Sequence, residues 1–210
     1  MSLKEEKEHI RKSIYDKLFN EGQSLRPNGD YGKIPDFKGS DIAAELLAGT
    51  DEWKNSKTIF CSPDSAQIPV RYLALKENKN LIMASPNLEH GYLYLEGCKL
   101  DGKEREASTK EGAFNHCSKF FDFGKGSSFD MAIDMLVEGS VGVDRCGNRI
   151  GKGKGYGDRE IEDLFNKNLI YEDTPLVTTI HPFQLIDHIP MESHDRRLNM
   201  IVSTDELIRI

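Results

Sequence analysis

"KTIFCSPDSAQIPVRYLALKENKNLIMASPN", residues 57–87, carries the reading that decides the fold. Residues 57–64 centre on Ile59, Phe60 and Cys61 and close on Pro63 and Asp64, which predicts a buried strand ending in a turn. Residues 67–80 predict a helix after Pro69, since proline suits a first turn, where its missing N–H would have no partner anyway. Residues 81–87 open on Leu81, Ile82 and Met83 and predict the next strand. Strand, helix and strand at this pitch are the repeat of a parallel α/β sheet.

The same reading extends outward. In residues 3–20, Ile10, Ile14 and Leu18 fall at i, i+4 and i+8, one face of an amphipathic helix that Gly22 ends. Residues 21–39 are rich in Gly, Pro and Asp and predict a long loop. Residues 40–50 predict a short helix with Ser40 as N-cap. Residues 91–97 ("GYLYLEG") predict a strand, residues 110–121 a helix, and "GKGSS" (124–128) a turn within a weakly patterned stretch. "DMLVEGSVGVD" (134–144) reads as one apolar, buried strand. Residues 159–170 predict a helix through Ile161, Leu164, Phe165 and Leu169, and residues 175–181 and 199–206 predict closing strands. The expectation is an α/β fold, a mostly parallel open sheet flanked by helices, as one domain over residues 1–210.

Composition narrows the function. The chain has 210 residues and a net charge of −7, with 38% hydrophobic and 30% charged residues. Binding nucleic acid or an acidic membrane surface needs a broad cationic excess, so neither is expected. Cys61, Cys98, Cys117 and Cys146 form no CxxC pair, which points to isolated reduced thiols rather than a zinc or disulfide framework. The charged N-terminus lacks an apolar signal core, and no run reaches membrane-spanning length; a cytoplasmic protein is expected.

One short stretch departs from this background. "GNRIGKGKGYGDRE" (147–160) places glycines 151, 153 and 155 in alternation with Lys152, Lys154 and Tyr156, between a strand and a helix. Glycines let backbone N–H groups converge on an anion, and the following helix N-terminus adds partial positive charge. Arg149 and the lysines can neutralise phosphate oxygens. The pattern is neither a Walker A loop nor a dinucleotide fingerprint. On these residues alone a phosphate loop and a mobile surface hairpin both stand.

Residues 147–159 closely resemble the signature of the 5-formyltetrahydrofolate cyclo-ligase family, approximately G-x-R-L-G-x-G-x-G-Y-Y-D-R. "KEHIR" (7–11) is similar to the family's K-x-x-[LI]-R, and "FQLIDHIPMESHD" (183–195) with "NMIVSTDE" (199–206) to its C-terminal Q…P-x-E-x-H-D segment and last strand. The middle of the chain looks like a divergent branch. The resemblance implies a three-layer α/β/α domain of the sugar-phosphate isomerase and CoA-transferase type. It also implies an ATP- and Mg²⁺-dependent ligase of the cytoplasm, monomeric or homodimeric, that converts 5-formyltetrahydrofolate into 5,10-methenyltetrahydrofolate with release of ADP and phosphate.

By motif match, Lys7 and Arg11 would bind ATP phosphates, and Arg149, Ile150, Gly151, Lys152, Gly153, Lys154, Gly155, Tyr156 and Gly157 would form the nucleotide loop. Arg149, Lys154 and Asp158 would serve catalysis, and Asp158 and Asp195 would hold Mg²⁺. Gln184 and Glu192 would support the pocket, while His194 reads as structural. Without the resemblance, Lys7 and Arg11 read rather as solvated helix charges pairing with Glu residues, and Asp158 equally as a helix cap. Gly157 stands where the family has a second tyrosine that lines the folate pocket. Of the methionine and glutamate that grip the pterin in the family, Met83, Glu89 and Glu96 are candidates by type only, and Met83 reads more readily as core. Two further readings therefore remain: a related enzyme with another heterocyclic acceptor, for example in thiamin salvage, and a non-catalytic nucleotide- or RNA-binding relative.

Overall fold

The structure, a computed structural model, describes residues 2–85, 91–121, 132–192 and 195–210. The chain begins with α1 (Leu3–Asn20), α2 (Ser40–Ala48) and α3 (Asp51–Asn55). β1 (Thr58–Cys61), α4 (Ile68–Lys76), β2 (Asn80–Ala84) and β3 (Tyr92–Glu96) follow, then α5 (Glu104–Ala107), α6 (Lys110–His116) and β4 (Lys119–Phe121). β5 (Met135–Val137), β6 (Gly142–Asp144) and β7 (Arg149–Ile150) precede α7 (Tyr156–Asn166). β8 (Leu176–Thr179), β9 (Leu185–Ile186), β10 (Met200–Val202) and β11 (Leu207–Arg209) close it.

Eight strands form the main sheet in the order β11-β10-β8-β5-β1-β2-β3-β4. β10, β8, β5, β1 and β2 pair in parallel, while β3 and β11 pair antiparallel with their neighbours. The sequence predicts the continuous apolar runs because strands covered on both faces have no solvent side. In β1 all four residues are buried. Ile59 and Cys61 enter the core shared with Ala44, Leu47, Val70 and Ala74 of α2 and α4. Phe60 enters the opposite core with Ile161 and Leu164 of α7. The period-two alternation of a strand thus separates two helical layers across one sheet, giving three layers.

Three expectations change. Residues 134–144 are two strands in two sheets: β5 lies in the main sheet, whereas β6 joins β7 and β9 in a small three-stranded sheet. The apolar run continues through the break, but Ser140 is drawn aside by Thr178, Oγ to Oγ1 at 2.9 Å, and Gln184 Nε2 donates to Ser140 O at 2.8 Å. Ser40 is the first residue of α2 and Gly39 the cap. In residues 110–121, only Lys110–His116 are helical; Lys119–Phe121 form β4. The turn expected at 124–128 lies outside the described residues.

α1 starts on a capping box, with Ser2 N donating to Glu5 Oε2 at 2.7 Å and Glu5 N to Ser2 Oγ at 3.3 Å. Its buried face is Lys7, Arg11, Ile14, Tyr15 and Leu18, while Ile10 is half-buried. Ile14, Tyr15 and Leu18 seat the helix against Phe37 and Val141. Residues at i, i+4, i+7 and i+11 share one helical stripe, so the packing that anchors the C-terminal half commits two cations of the N-terminal half to the interior.

Two arginines fix the loops beside that end of α1. Arg26 pairs with buried Asp30 and donates to Ile34 O and Ser65 Oγ, each at 3.0 Å, which orders the loop over 21–39. Arg71, fully buried, donates through Nε to Ser108 O at 2.7 Å and through Nη1 to Ser62 O and Asp64 O. The carbonyls of the turn after β1 are therefore held by a charged clamp.

Candidate active site

A cleft of about 600 Å³ opens where α1, the turn after β1, the small sheet and the first turn of α7 meet. Lys7 and Arg11 enter it from α1, each only 8% exposed as a residue. Lys7 Nζ contacts Asp195 Oδ2 at 2.9 Å and Glu192 Oε2 at 3.0 Å, across sequence separations of 188 and 185. Burial alone would lower the Lys7 pKa; the bonds to Asp195 and Glu192 outweigh it and raise the ammonium above its ordinary value. The solvated-charge reading of Lys7 and Arg11 is therefore incorrect. Its single surviving element is the contact of Arg11 Nη1 with Glu8 Oε1 at 2.7 Å.

The glycine stretch differs from a simple strand-to-helix loop. Arg149 and Ile150 form β7, antiparallel to β6, so the loop itself is residues 151–155. It is tied down rather than free: Arg11 Nε donates to Gly151 O at 2.7 Å, and Lys152 Nζ contacts Asp64 Oδ1 at 3.1 Å. Gly153 and Gly155 have φ of +85° and +66°, a left-handed backbone that favours glycine. Gly155 is also the N-cap of α7, and no side chain caps that helix. Its first N–H groups thus have no side-chain acceptor, and Gly155, Tyr156 and Gly157 line the cleft together with its cations, as an anion site requires.

Arg149 lies on the cleft floor. Its Nη2 donates to Asp158 Oδ1 at 2.6 Å and its Nη1 to Gly139 O at 3.2 Å, while Nε is buried without a partner. Asp158 is the third residue of α7 and makes no cap, so the capping reading is incorrect. Asp158 and Asp195 both line the cleft. Each is bonded to a cation, and among the described residues no group of three or more His, Cys, Asp or Glu is arranged to hold a metal ion. Two carboxylates suit Mg²⁺, which takes much of its shell from water and phosphate oxygens.

All of the expected loop, phosphate and metal residues line the cleft except Lys154, which is exposed and outside its lining. Gln184 is buried beneath it: its Oε1 accepts from His181 N at 2.8 Å, and its Nε2 holds Ser140 O. Met83 is fully buried in the core on the α2 and α4 side of the sheet, and Glu96 pairs with Lys99 at 2.6 Å; neither lines the cleft. Glu89 and His194 lie outside the described residues.

Sequence reasoning missed the cleft's acidic side. Asp64, Glu138 and Glu160 line it together with Arg149 and Lys152. Burial, then the neighbouring Glu160 carboxylate, pushes Glu138 well above the ordinary range, against the pull of Arg149. Burial, then Asp64, pushes Glu160 up to about 7. The available signal was one acidic residue inside the apolar run "MLVEGSV", since a buried unpaired carboxylate is rare.

The comparisons agree with this architecture. Residues 3–204 match the 5-formyltetrahydrofolate cyclo-ligase family. A methenyltetrahydrofolate synthase domain-containing protein of Bos taurus is 31% identical over 209 residues, covering 96% of this chain and 53% of that protein. The Homo sapiens protein of the same name is 29% identical over 209 residues, with the same coverage of 96% and 53%. The chain thus spans about half the length of the curated relatives it matches. A 5,10-methenyltetrahydrofolate synthetase of Aquifex aeolicus shares the fold with a TM-score of 0.60 at 20% identity, over 97% of this chain and 92% of that one. The Mycoplasma pneumoniae synthetase does so with a TM-score of 0.51 at 15% identity, over 91% and 97%. Among the described residues no helix is long and apolar enough to cross a membrane. With three layers, the glycine loop and this match over nearly its whole length, the chain belongs to the 5-formyltetrahydrofolate cyclo-ligase family.

Proposed function

We propose that this chain is an ATP- and Mg²⁺-dependent 5-formyltetrahydrofolate cyclo-ligase. One observation carries the reading: cations and carboxylates from positions 7–11, 149–158 and 195 meet in a single cleft. A triphosphate needs several cations and convergent N–H groups together, and Lys7, Arg11, Arg149, Lys152 and the uncapped start of α7 supply them. Asp158 and Asp195 would hold Mg²⁺. When bound, ATP supplies the phosphoryl group that turns the formyl oxygen, otherwise a hopeless leaving group, into a phosphate that departs as N10 closes the ring. The protein's part is alignment and charge neutralisation, which is where phosphoryl transfer gains most.

The test follows methenyl absorbance and ADP together in protein supplied with MgATP and 5-formyltetrahydrofolate. Equal amounts of both products are expected; neither forming under saturating conditions refutes the reaction.

A second reading keeps the nucleotide side and changes the acceptor to another nitrogen heterocycle. It draws on Gly157 and on Met83 and Glu96 lying away from the cleft. It expects MgATP binding without any methenyl product.

A further inference from the structure

Two carboxyls in the cleft, Glu138 and Glu160, take no part in the pairings described above, and of the two only Glu138 has a buried oxygen without a partner. Glu138 stands where the chain leaves β5, and its backbone is held on both sides: its N–H donates to Val177 O at 2.9 Å and its carbonyl accepts from Thr178 Oγ1 at 2.7 Å. The residue is 3% exposed. Among the described residues its carboxyl accepts no hydrogen bond, and Oε1 is buried without a partner. The cation beside it, Arg149, is engaged with Asp158. A buried polar group without a partner is costly, and in native proteins such groups concentrate where a ligand completes them.

The first turn of α7 leaves this carboxyl accessible. A Cβ at Gly157 would lie 3.1 Å from Glu138 Oε2, and 3.3 and 3.4 Å from Arg149 Nη2 and Nη1. Any side chain at 157 would therefore crowd the carboxyl that glycine leaves uncovered. Charge decides what fits beside it. Asp64, Asp158 and Glu160 are its acidic neighbours against the single cation Arg149, so the charge around this carboxyl is net negative and disfavours a phosphate on it. The group that suits Glu138 carries N–H donors or positive charge.

We propose that Glu138 recognises the second substrate, its carboxyl pairing with an N–H edge of a nitrogen heterocycle that reaches it past Gly157. This inference rests on the cyclo-ligase reading for its heterocycle, the pterin of 5-formyltetrahydrofolate, whose 2-amino group and adjacent ring nitrogen form such an edge. Position 157 then sets specificity by what it lacks.

The test is equilibrium binding of 5-formyltetrahydrofolate and, separately, of MgATP to wild type and Glu138→Ala. Loss of a charge-assisted hydrogen bond should weaken folate binding about tenfold or more, with MgATP affinity within about twofold of wild type. An analogue lacking the 2-amino group should bind wild type more weakly than the parent, whereas Glu138→Ala should not distinguish the two. Gly157→Ala, which keeps the carboxyl and covers it, should weaken folate binding as well; it carries the test if Glu138→Ala fails to fold. Unchanged folate affinity in either folded variant, a parallel loss of MgATP affinity in Glu138→Ala, or no folate binding by wild type overturns the proposal. Turnover separates this from the reaction itself. Glu138-dependent binding without methenyl product would refute only the cyclo-ligase reaction, and methenyl formation with Glu138-independent binding only the recognition role.

Discussion

Arg149 Nη2 lies 2.6 Å from Asp158 Oδ1, joining the strand before the glycine loop to the helix after it. The Arg149 side chain is only 5% exposed, so the pair holds both ends of residues 151–155 in register from beneath. An incoming phosphate meets a loop whose ends are already set, which reduces the ordering cost of binding.

Lys152 and Lys154 should differ. Lys152 lines the cleft and contacts Asp64, whereas Lys154 is exposed and outside it. Lys152→Ala should weaken MgATP binding roughly tenfold, about the value of one charge-assisted contact, and Lys154→Ala should stay within about twofold. Calorimetric titration of the two folded variants checks this; equal losses would place Lys154 at the phosphates after all.

Asp195 couples the C-terminal segment to α1 through Lys7 at 2.9 Å. Asp195→Asn removes a hard, charged oxygen ligand and keeps the shape, so the Mg²⁺ concentration for half-maximal turnover should rise. A magnesium titration at saturating ATP measures it. An unchanged midpoint would restrict Asp195 to holding Lys7.

Glu138 makes stability depend on pH. Burial and the Glu160 carboxylate raise its folded pKa above the ordinary 4.5, opposed by Arg149, with Asp64 and Asp158 adding to the rise. A carboxyl raised on folding favours the protonated folded state. Its contribution is fully present below about pH 4.5, its unfolded value, and is lost as pH rises through the folded pKa. Glu138→Gln should therefore be more stable than wild type at pH 8, with the gap closing toward pH 4.5. Urea denaturation at both pH values checks the sign; a variant less stable at pH 8 would show that the carboxylate is compensated in the fold. A residue that costs stability without ligand is a common mark of a functional site.

Arg71 tests the clamp under the cleft. Arg71→Leu leaves the carbonyls of Ser62, Asp64 and Ser108 without their donor in a buried place. The loss should be about 3 kcal/mol or more, since each unsatisfied buried acceptor costs on the order of 1–3 kcal/mol. The shift of the urea midpoint reads it, and a change near zero would mean that water replaces the guanidinium.

Particular residues show what was legible in sequence. β1, β2, β8 and β10 read correctly because a strand buried on both faces is mostly apolar, as residues 59–61 are, with all of residues 58–61 buried. The same rule misread residues 134–144: the run stays apolar while the chain passes from one sheet to another, and hydrophobicity carries no record of which sheet a strand joins. The Lys7 to Asp195 contact crosses 188 positions, beyond the reach of any local pattern, and only the family motifs brought both residues to notice. Glu138 and Glu160 were overlooked for opposite reasons. One was hidden in a hydrophobic run, the other among the ordinary charges of a helix whose inner face it shares with Ile161 and Leu164.

The most direct measurement supplies MgATP and 5-formyltetrahydrofolate labelled with ¹⁸O at the formyl oxygen, then weighs the released phosphate. Phosphorylation of the formyl oxygen predicts one labelled phosphate for each methenyl product formed. Methenyl product accompanied by unlabelled phosphate, or ADP release with no methenyl product, would contradict the account.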